Sequence, residues 1–231
     1  MESSKLSAIE VDAMDPAALA RFWAGILGWQ VDQDYTLVPS DATGFLIRFL
    51  PGGASKVGPN QVHFDLTSDT DGRQDDTVRR ALDRGAAHID VGQLPEEGHV
   101  VLADPEGNEF CVLEAGNSFL ADCVFLGAVN CDGSQALGYF WSAALGWPLV
   151  WDQDEETAIR SPDGGPMITW SGPPVRPKLG RNRLRFELTA PSGLISAEIE
   201  RLVALGATVV AEGVDGHHLI DPDGNEFTVL A

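Results

Sequence analysis

Long apolar runs are missing from this chain of 231 residues. Its longest, such as Val100–Ala103 and Val124–Val129, fall far short of the ~20 residues that span a bilayer. No membrane partner is therefore expected. The opening stretch MESSKLSAIEVD lacks the charged and apolar regions of a signal peptide, so no export is expected either. Cysteine is scarce: Cys111, Cys123 and Cys131 are too few and too irregular for a disulfide framework, which points to a reduced cytoplasm. Positive charge is the third shortage. Fifteen Lys and Arg stand against 35 Asp and Glu, a formal net charge of −20, which excludes nucleic acid unless a basic patch is segregated.

What is present is the composition of a folded protein, with 44% hydrophobic and 22% charged residues. The length allows one large domain or two ordinary ones. One local exception to the acidic balance is RPKLGRNRLR at 176–185, which holds Arg176, Lys178, Arg181, Arg183 and Arg185. It reads either as a solvated connection beside a strand or as a local positive field for an anionic small molecule.

The chain repeats itself. ALARFWAGILGW (18–29) returns as ALGYFWSAALGW (136–147), NQVHFDL (60–66) as NRLRFEL (182–188), and DPEGNEF (104–110) as DPDGNEF (221–227). Three matched segments in the same order mean a duplicated domain. The junction falls in AGNSFLADC (115–123), so the domains are expected at 1–118 and 119–231. Within a copy, Leu6–Asp12 alternates as a strand. Asp15 and Pro16 then open a helix that Gly28 closes. Tyr35–Val38 and Phe45–Leu50 read as strands. Val62–Thr67 starts a second unit, with a helix over roughly Asp75–Arg84 and strands at Val100–Leu102 and Phe110–Leu113. The second copy repeats this with Val124–Asn130, helices near Gln135–Leu145 and Leu194–Leu205, and a strand at Leu184–Thr189. The repeated phrase has Pro at a fixed-φ turn position and Gly-Asn where positive φ is tolerated. It reads as a hairpin turn, which makes Asp104, Asp221, Glu109 and Glu226 weak catalytic candidates.

These motifs in this order resemble the vicinal oxygen chelate superfamily of glyoxalase I, the bleomycin-resistance proteins and the extradiol dioxygenases. NQVHFDL and KLGRNRLRFEL look like its glyoxalase-like subgroup common in actinobacteria. The resemblance covers about 5–116 and 123–231. It implies an α+β fold of tandem βαβββ units, two glyoxalase-like domains each with a curved mixed sheet around a cavity. The chain would work as a monomeric pseudo-dimer or as a homodimer. The family's divalent metal would need ligands where this sequence has Ala8 and Leu126, His63 and Arg185, Cys111 and Thr228. Ala8, Leu126 and Thr228 do not ligate, and His63 with Cys111 makes only two donors. Cross-copy pairing would have to add Asn130, His217 or His218. No metal and no cofactor are expected.

A cavity with ionisable pairs remains. His63 and Asp65 are two apart on one strand and face the same way; Arg185 and Glu187 occupy the matched places. Each pair is either a rim ion pair or part of the site. In the second case His63 is the acid/base, Asp65 orients it, and Arg185 binds a carboxylate or enolate beside Glu187. Trp23, Trp29, Trp141 and Trp147 recur and read as core. Trp151 and Trp170 have no tryptophan counterpart, so they are either core or a wall for a flat ligand, with Cys111 as a further lining residue. His217 and His218 point opposite ways on a strand. The function expected is binding or transforming a small organic, anionic or aromatic compound, as an acid/base lyase, isomerase or cyclase. Drug sequestration and a metal-dependent glyoxalase or dioxygenase stand as alternatives.

Overall fold

The computed structural model describes residues 3–52, 56–94, 96–213 and 216–231. The chain runs through four βαβββ units. The first is β1 (Lys5–Ala13), α1 (Pro16–Leu27), β2 (Gln30–Val31), β3 (Thr36–Val38) and β4 (Leu46–Pro51). The second is β5 (Val62–Leu66), α2 (Asp71–Leu82), β6 (Ala87–His88), β7 (Val100–Ala103) and β8 (Glu109–Val112). The third is β9 (Leu126–Cys131), α3 (Gln135–Leu145), β10 (Leu149–Gln153), β11 (Glu156–Arg160) and β12 (Met167–Trp170). The fourth is β13 (Leu184–Thr189), α4 (Ile195–Leu205), β14 (Thr208–Gly213), β15 (Gly216–Ile220) and β16 (Glu226–Leu230).

Local chemistry accounts for the helix ends. The Asp15 carboxylate accepts from Ala18 N, Pro16 holds the first turn, and Gly28 closes α1 at φ 75°. Helix α2 begins one turn before the expected Asp75. Thr70 caps it through Arg73 N, and the first turn, DGRQ, carries no apolar residue for periodicity to detect.

Two open, mixed eight-stranded sheets result, and each takes half of its strands from each copy. The first runs β14-β15-β16-β13-β1-β4-β3-β2; the second runs β10-β11-β12-β9-β5-β8-β7-β6. The copies therefore meet inside both sheets, through the antiparallel pairs β1–β13 and β5–β9. One apolar cluster spans the two sheets and their helices. Trp23 of α1, which follows a strand of the first sheet, packs edge-on against Phe64 and Phe110 of the second at 5.2 and 5.0 Å. Trp141 mirrors it against Phe186 and Phe227 at 4.8 and 5.1 Å.

The repeated phrase is the fastener of this arrangement. Asp104 Oδ1 accepts from the backbone of Glu106 and Asn108, and its Oδ2 accepts from Trp23 Nε1 at 3.1 Å. Asp221 does the same for its own turn and for Trp141 Nε1 at 3.3 Å. Glu109 accepts from Lys56 and Asn60 N, as Glu226 does from Lys178 and Asn182 N, so each fixes the approach to β5 or β13. The tryptophans and the turn phrase recur together because they hydrogen-bond to each other. Burial pushes the Asp221 carboxyl up to about 6 against these donors.

Candidate functional site

Alternation along a strand gives each sheet a face toward the apolar core and a face away from it. On the second sheet Phe64, Phe110 and Val129 point to the core. Pairing of His63 with Asn130, Asp65 with Ala128 and Cys111, and Asn130 with Thr169 then gathers these side chains on the other face. Ala158 and Trp151 extend the same face to the sheet edge. His63 Nε2 lies 3.3 Å from Asp65 Oδ1, and Asn130 donates to Asp65 Oδ2 at 3.2 Å. The cross-copy neighbour is thus Asn130. His217 and His218 lie on β15 in the other sheet.

Two different covers lie over this face. Over Ala128, Ala158 and Met167 sits Leu120 of the junction segment, only 2% exposed, with Phe119 edge-on to Trp151 at 5.4 Å. Arg160 holds that segment through the carbonyl of Asp122. The His63 end instead opens into a cleft of about 420 Å³, bounded by Asn60, Asn130, Asp132 and the 171–177 connection. Asp65 Oδ1, Thr169 Oγ1 and Trp151 Nε1 are buried on this face without a hydrogen-bond partner among the described residues. Such groups cost ~1–3 kcal/mol each when unmet.

Burial by itself depresses the His63 imidazolium, but Asp65, with Glu109 adding to it, outweighs that effect and raises the pKa above the ordinary 6.5. Burial and the neighbouring Asp65 push the Cys111 thiol far up, so it stays protonated. His63, Asp65 and Cys111 each offer a donor atom, all within 4.8 Å of one another. Counting only His63 and Cys111 from sequence therefore falls one donor short, since Asp65 stands beside them. One nitrogen, one carboxylate oxygen without a hydrogen-bond partner and one sulfur suit a thiophilic divalent ion with an open position. Such an ion would polarise a substrate oxygen.

Arg185 and Glu187 lie on the outward face of the first sheet, where charges of opposite sign stand opposite one another. Arg48 pairs across to Glu10 and Glu10 to Arg185. Arg185 Nη2 binds Asp12 Oδ1 at 2.8 Å and Glu10 Oε2 at 3.2 Å, while Arg48 and Ser7 hold Glu187. The Arg185 side chain is 1% exposed. Among the described residues, Glu10, Asp12 and the Asn182 carbonyl engage both Arg185 Nη atoms, and its Nε is buried without a hydrogen-bond partner. Trp170 departs from the ligand-wall expectation too. It pairs with Cys131 on the core side of β12 and is 1% exposed within the apolar cluster. Of the residues named from sequence, His63, Asp65, Cys111 and Trp151 share one face. Asn130, named from sequence as a cross-copy partner, joins them with Thr169, and the connections add Leu120, Asp132 and Arg176, which only long-range pairing reveals.

No helix among the described residues is long and apolar enough to cross a membrane. A sequence profile for the glyoxalase-like domain matches this chain twice, at residues 8–113 and 127–230. No curated protein sequence matches it significantly. Among solved structures it is similar to glyoxalase I from Zea mays, with a TM-score of 0.65 at 15% identity over 98% of this chain and 92% of that one. A variant of the same enzyme gives 0.68 at 14% identity, again over 98% and 92%. A candidate dioxygenase from Bacillus subtilis gives 0.62 at 17% identity over 99% and 85%. At these identities the likeness is one of fold. With both copies matched and the fold shared along the whole chain, the protein belongs to the glyoxalase-like domain family, as a two-domain member of the vicinal oxygen chelate superfamily.

Proposed function

We propose that the outward face of the second sheet is a small-molecule enzyme site. It moves a proton through His63, with the Asp65 carboxylate 3.3 Å away as its charged partner, and needs no resident metal. The observation that carries this is the His63–Asp65 pair at the wall of the 420 Å³ cleft, with Asn130 holding the far carboxylate oxygen. Imidazole is the side chain that ordinarily exchanges a proton near neutral pH, and the Asp65 carboxylate beside it favours the protonated form. Lyase, isomerase and cyclase reactions each need that transfer beside a carbonyl or a leaving group. Cys111, as a thiol, stands beside His63 and Asp65 on the same face, while Trp151 lies at the far edge of that face under Phe119. The duplicated domains, taken as 1–118 and 119–231, supply His63 and Asn130 respectively, so one chain suffices as the working unit. Three unpaired cysteines accord with a reducing compartment such as the cytoplasm. A sequestering pocket would have no use for the His63–Asp65 pair.

The test is solvent-deuterium uptake by a panel of small carbonyl compounds and carbonyl acids, followed by proton NMR. The wild type should accelerate exchange for at least one of them. His63→Gln should lose about 10²-fold or more of that acceleration, the usual worth of a positioned acid/base group. Equal exchange by both proteins, or none by either, overturns the reading. A second reading is favoured by the donor distances alone, namely that His63, Asp65 and Cys111 hold a divalent ion. Elemental analysis of the purified protein decides between them. Close to one transition metal per chain, lost in Cys111→Ser, would establish the second.

A further inference from the structure

Of the five cations in the 176–185 run, four are ion-paired at 3.3 Å or closer. Lys178 binds Glu226, Arg181 binds Asp12, Arg183 binds Glu106, and Arg185 binds Glu10 and Asp12. Arg176 is different. It lies on the 171–177 connection that walls the His63 cleft, and its side chain is 52% exposed. Its one ion-pair partner among the described residues is Asp132, whose Oδ2 is 3.9 Å from Arg176 Nε, beyond hydrogen-bonding range. Asp132 spends its two oxygens on the backbone instead, accepting from Arg176 N at 3.2 Å through each. That clamp fixes where the Arg176 side chain starts, and the guanidinium keeps only a long ion pair to Asp132, with no side-chain hydrogen bond among the described residues. Around it the cleft offers Pro173, Pro174, Val175 and Pro177, an apolar and conformationally stiff wall. Asn60 and Asn130 add polar side chains to the same lining.

We propose that Arg176 is the specificity residue of this cleft and that the substrate is a small carboxylate-bearing molecule. Its anionic end pairs with the Arg176 guanidinium, and its apolar body lies along the proline-rich wall beside His63. The proposal rests on the assignment of this cleft as the functional site, but not on any particular reaction there. A planar guanidinium matches a carboxylate with two parallel hydrogen bonds, which sets orientation as well as affinity. The net charge of −20 makes such a local cation the more necessary for an anionic ligand.

The test compares benzoate with benzamide, which share a ring and differ in charge, on the whole protein by calorimetry and by the His63 ring signals in NMR. Benzoate should bind about tenfold or more tightly than benzamide. Arg176→Gln should erase that preference while leaving benzamide affinity within about twofold. Asp132→Asn, which removes the neighbouring carboxylate, should tighten benzoate. His63→Gln should keep the preference, which separates this proposal from the proton-transfer reading. If His63→Gln also abolishes catalysis, both stand; if it leaves catalysis intact, only the proton-transfer reading fails. Equal affinity for the two probes, no benzoate binding at tens of millimolar, or a preference that survives in Arg176→Gln overturns the proposal.

Discussion

Replacing Arg185 with methionine retains most of the side-chain volume and deletes a charge that two buried carboxylates share. The Arg185 side chain is 1% exposed, and those of Glu10 and Asp12 are 10% exposed. Asp12 keeps a second cation, Arg181, at 3.3 Å, but that side chain is 60% exposed and contributes little. Glu10 is the residue left stranded. Burial already raises its carboxyl pKa, and Arg185 is the main force holding it down. Breaking a buried pair from one side costs about 3–5 kcal/mol, and the partner retained by Asp12 argues for the lower end, about 3 kcal/mol. With a urea m-value near 2 kcal/mol/M, the unfolding midpoint at pH 7 should fall by about 1.5 M. The pH dependence has a definite sign. In the variant, Glu10 loses its cation and its folded pKa rises further above the unfolded value. The folded chain then binds that proton more tightly than the unfolded one, so the deficit is greatest at neutral pH and shrinks on acidification through the folded pKa. Converting the pair to Arg185→Met with Glu10→Leu should recover at least half of the loss, because no unpaired charge stays buried. A midpoint shift below about 0.3 M, or a deficit independent of pH, would refute this account of Arg185.

Three further outcomes are expected. Leu120→Ala, on the junction segment over the second sheet, should cost about 2–4 kcal/mol in urea unfolding, since Leu120 is 2% exposed against Ala128, Ala158 and Met167; a cost under 1 kcal/mol would mean that the segment does not press on the sheet. Gly127→Ala should destabilise by about 1–3 kcal/mol, because a Cβ there meets Thr67 Cγ2 at 2.5 Å and Leu120 Cδ1 at 2.9 Å, and Thr67→Ser should relieve part of it. Asp221, pushed to about 6 by burial, stabilises most below its unfolded pKa near 3.8 and loses that contribution as pH rises through 6. Asp221→Asn should therefore flatten the stability profile between pH 4 and 6 by up to ~1.4 kcal/mol per pH unit, and an unchanged slope would count against the buried titration.

Much of the fold is legible because its signals are local. The cap at Asp15, the left-handed Gly28 and Gly146, the glycine turns of the repeated phrase and strict alternation in β5 and β13 each depend on a few neighbouring residues. Duplication adds a second reading of every element, and it separates what serves the fold (Trp23 with Asp104, Trp141 with Asp221) from positions that diverge. His63 and Asp65 were likewise legible as a pair, since two residues apart on a strand is a statement about one face.

Which strands meet across the copies was decided only in three dimensions, and the chemistry follows from that choice. Pairing β5 with β9 puts Asn130 on Asp65, and pairing β1 with β13 surrounds Arg185 with Glu10 and Asp12. Strand partners are selected by registers more than 60 residues apart, through the packing of whole faces, and no local pattern carries that information. The same holds for Arg176 at the His63 cleft and Leu120 over the second sheet. Both lie on connections whose paths are set by what they cover. The sequence by itself determined the units, their order, their turns and the face on which each polar side chain emerges. The tertiary structure decided which of those faces is neutralised by its own ion pairs and which is left open, because that depends on charges brought together from opposite ends of the chain.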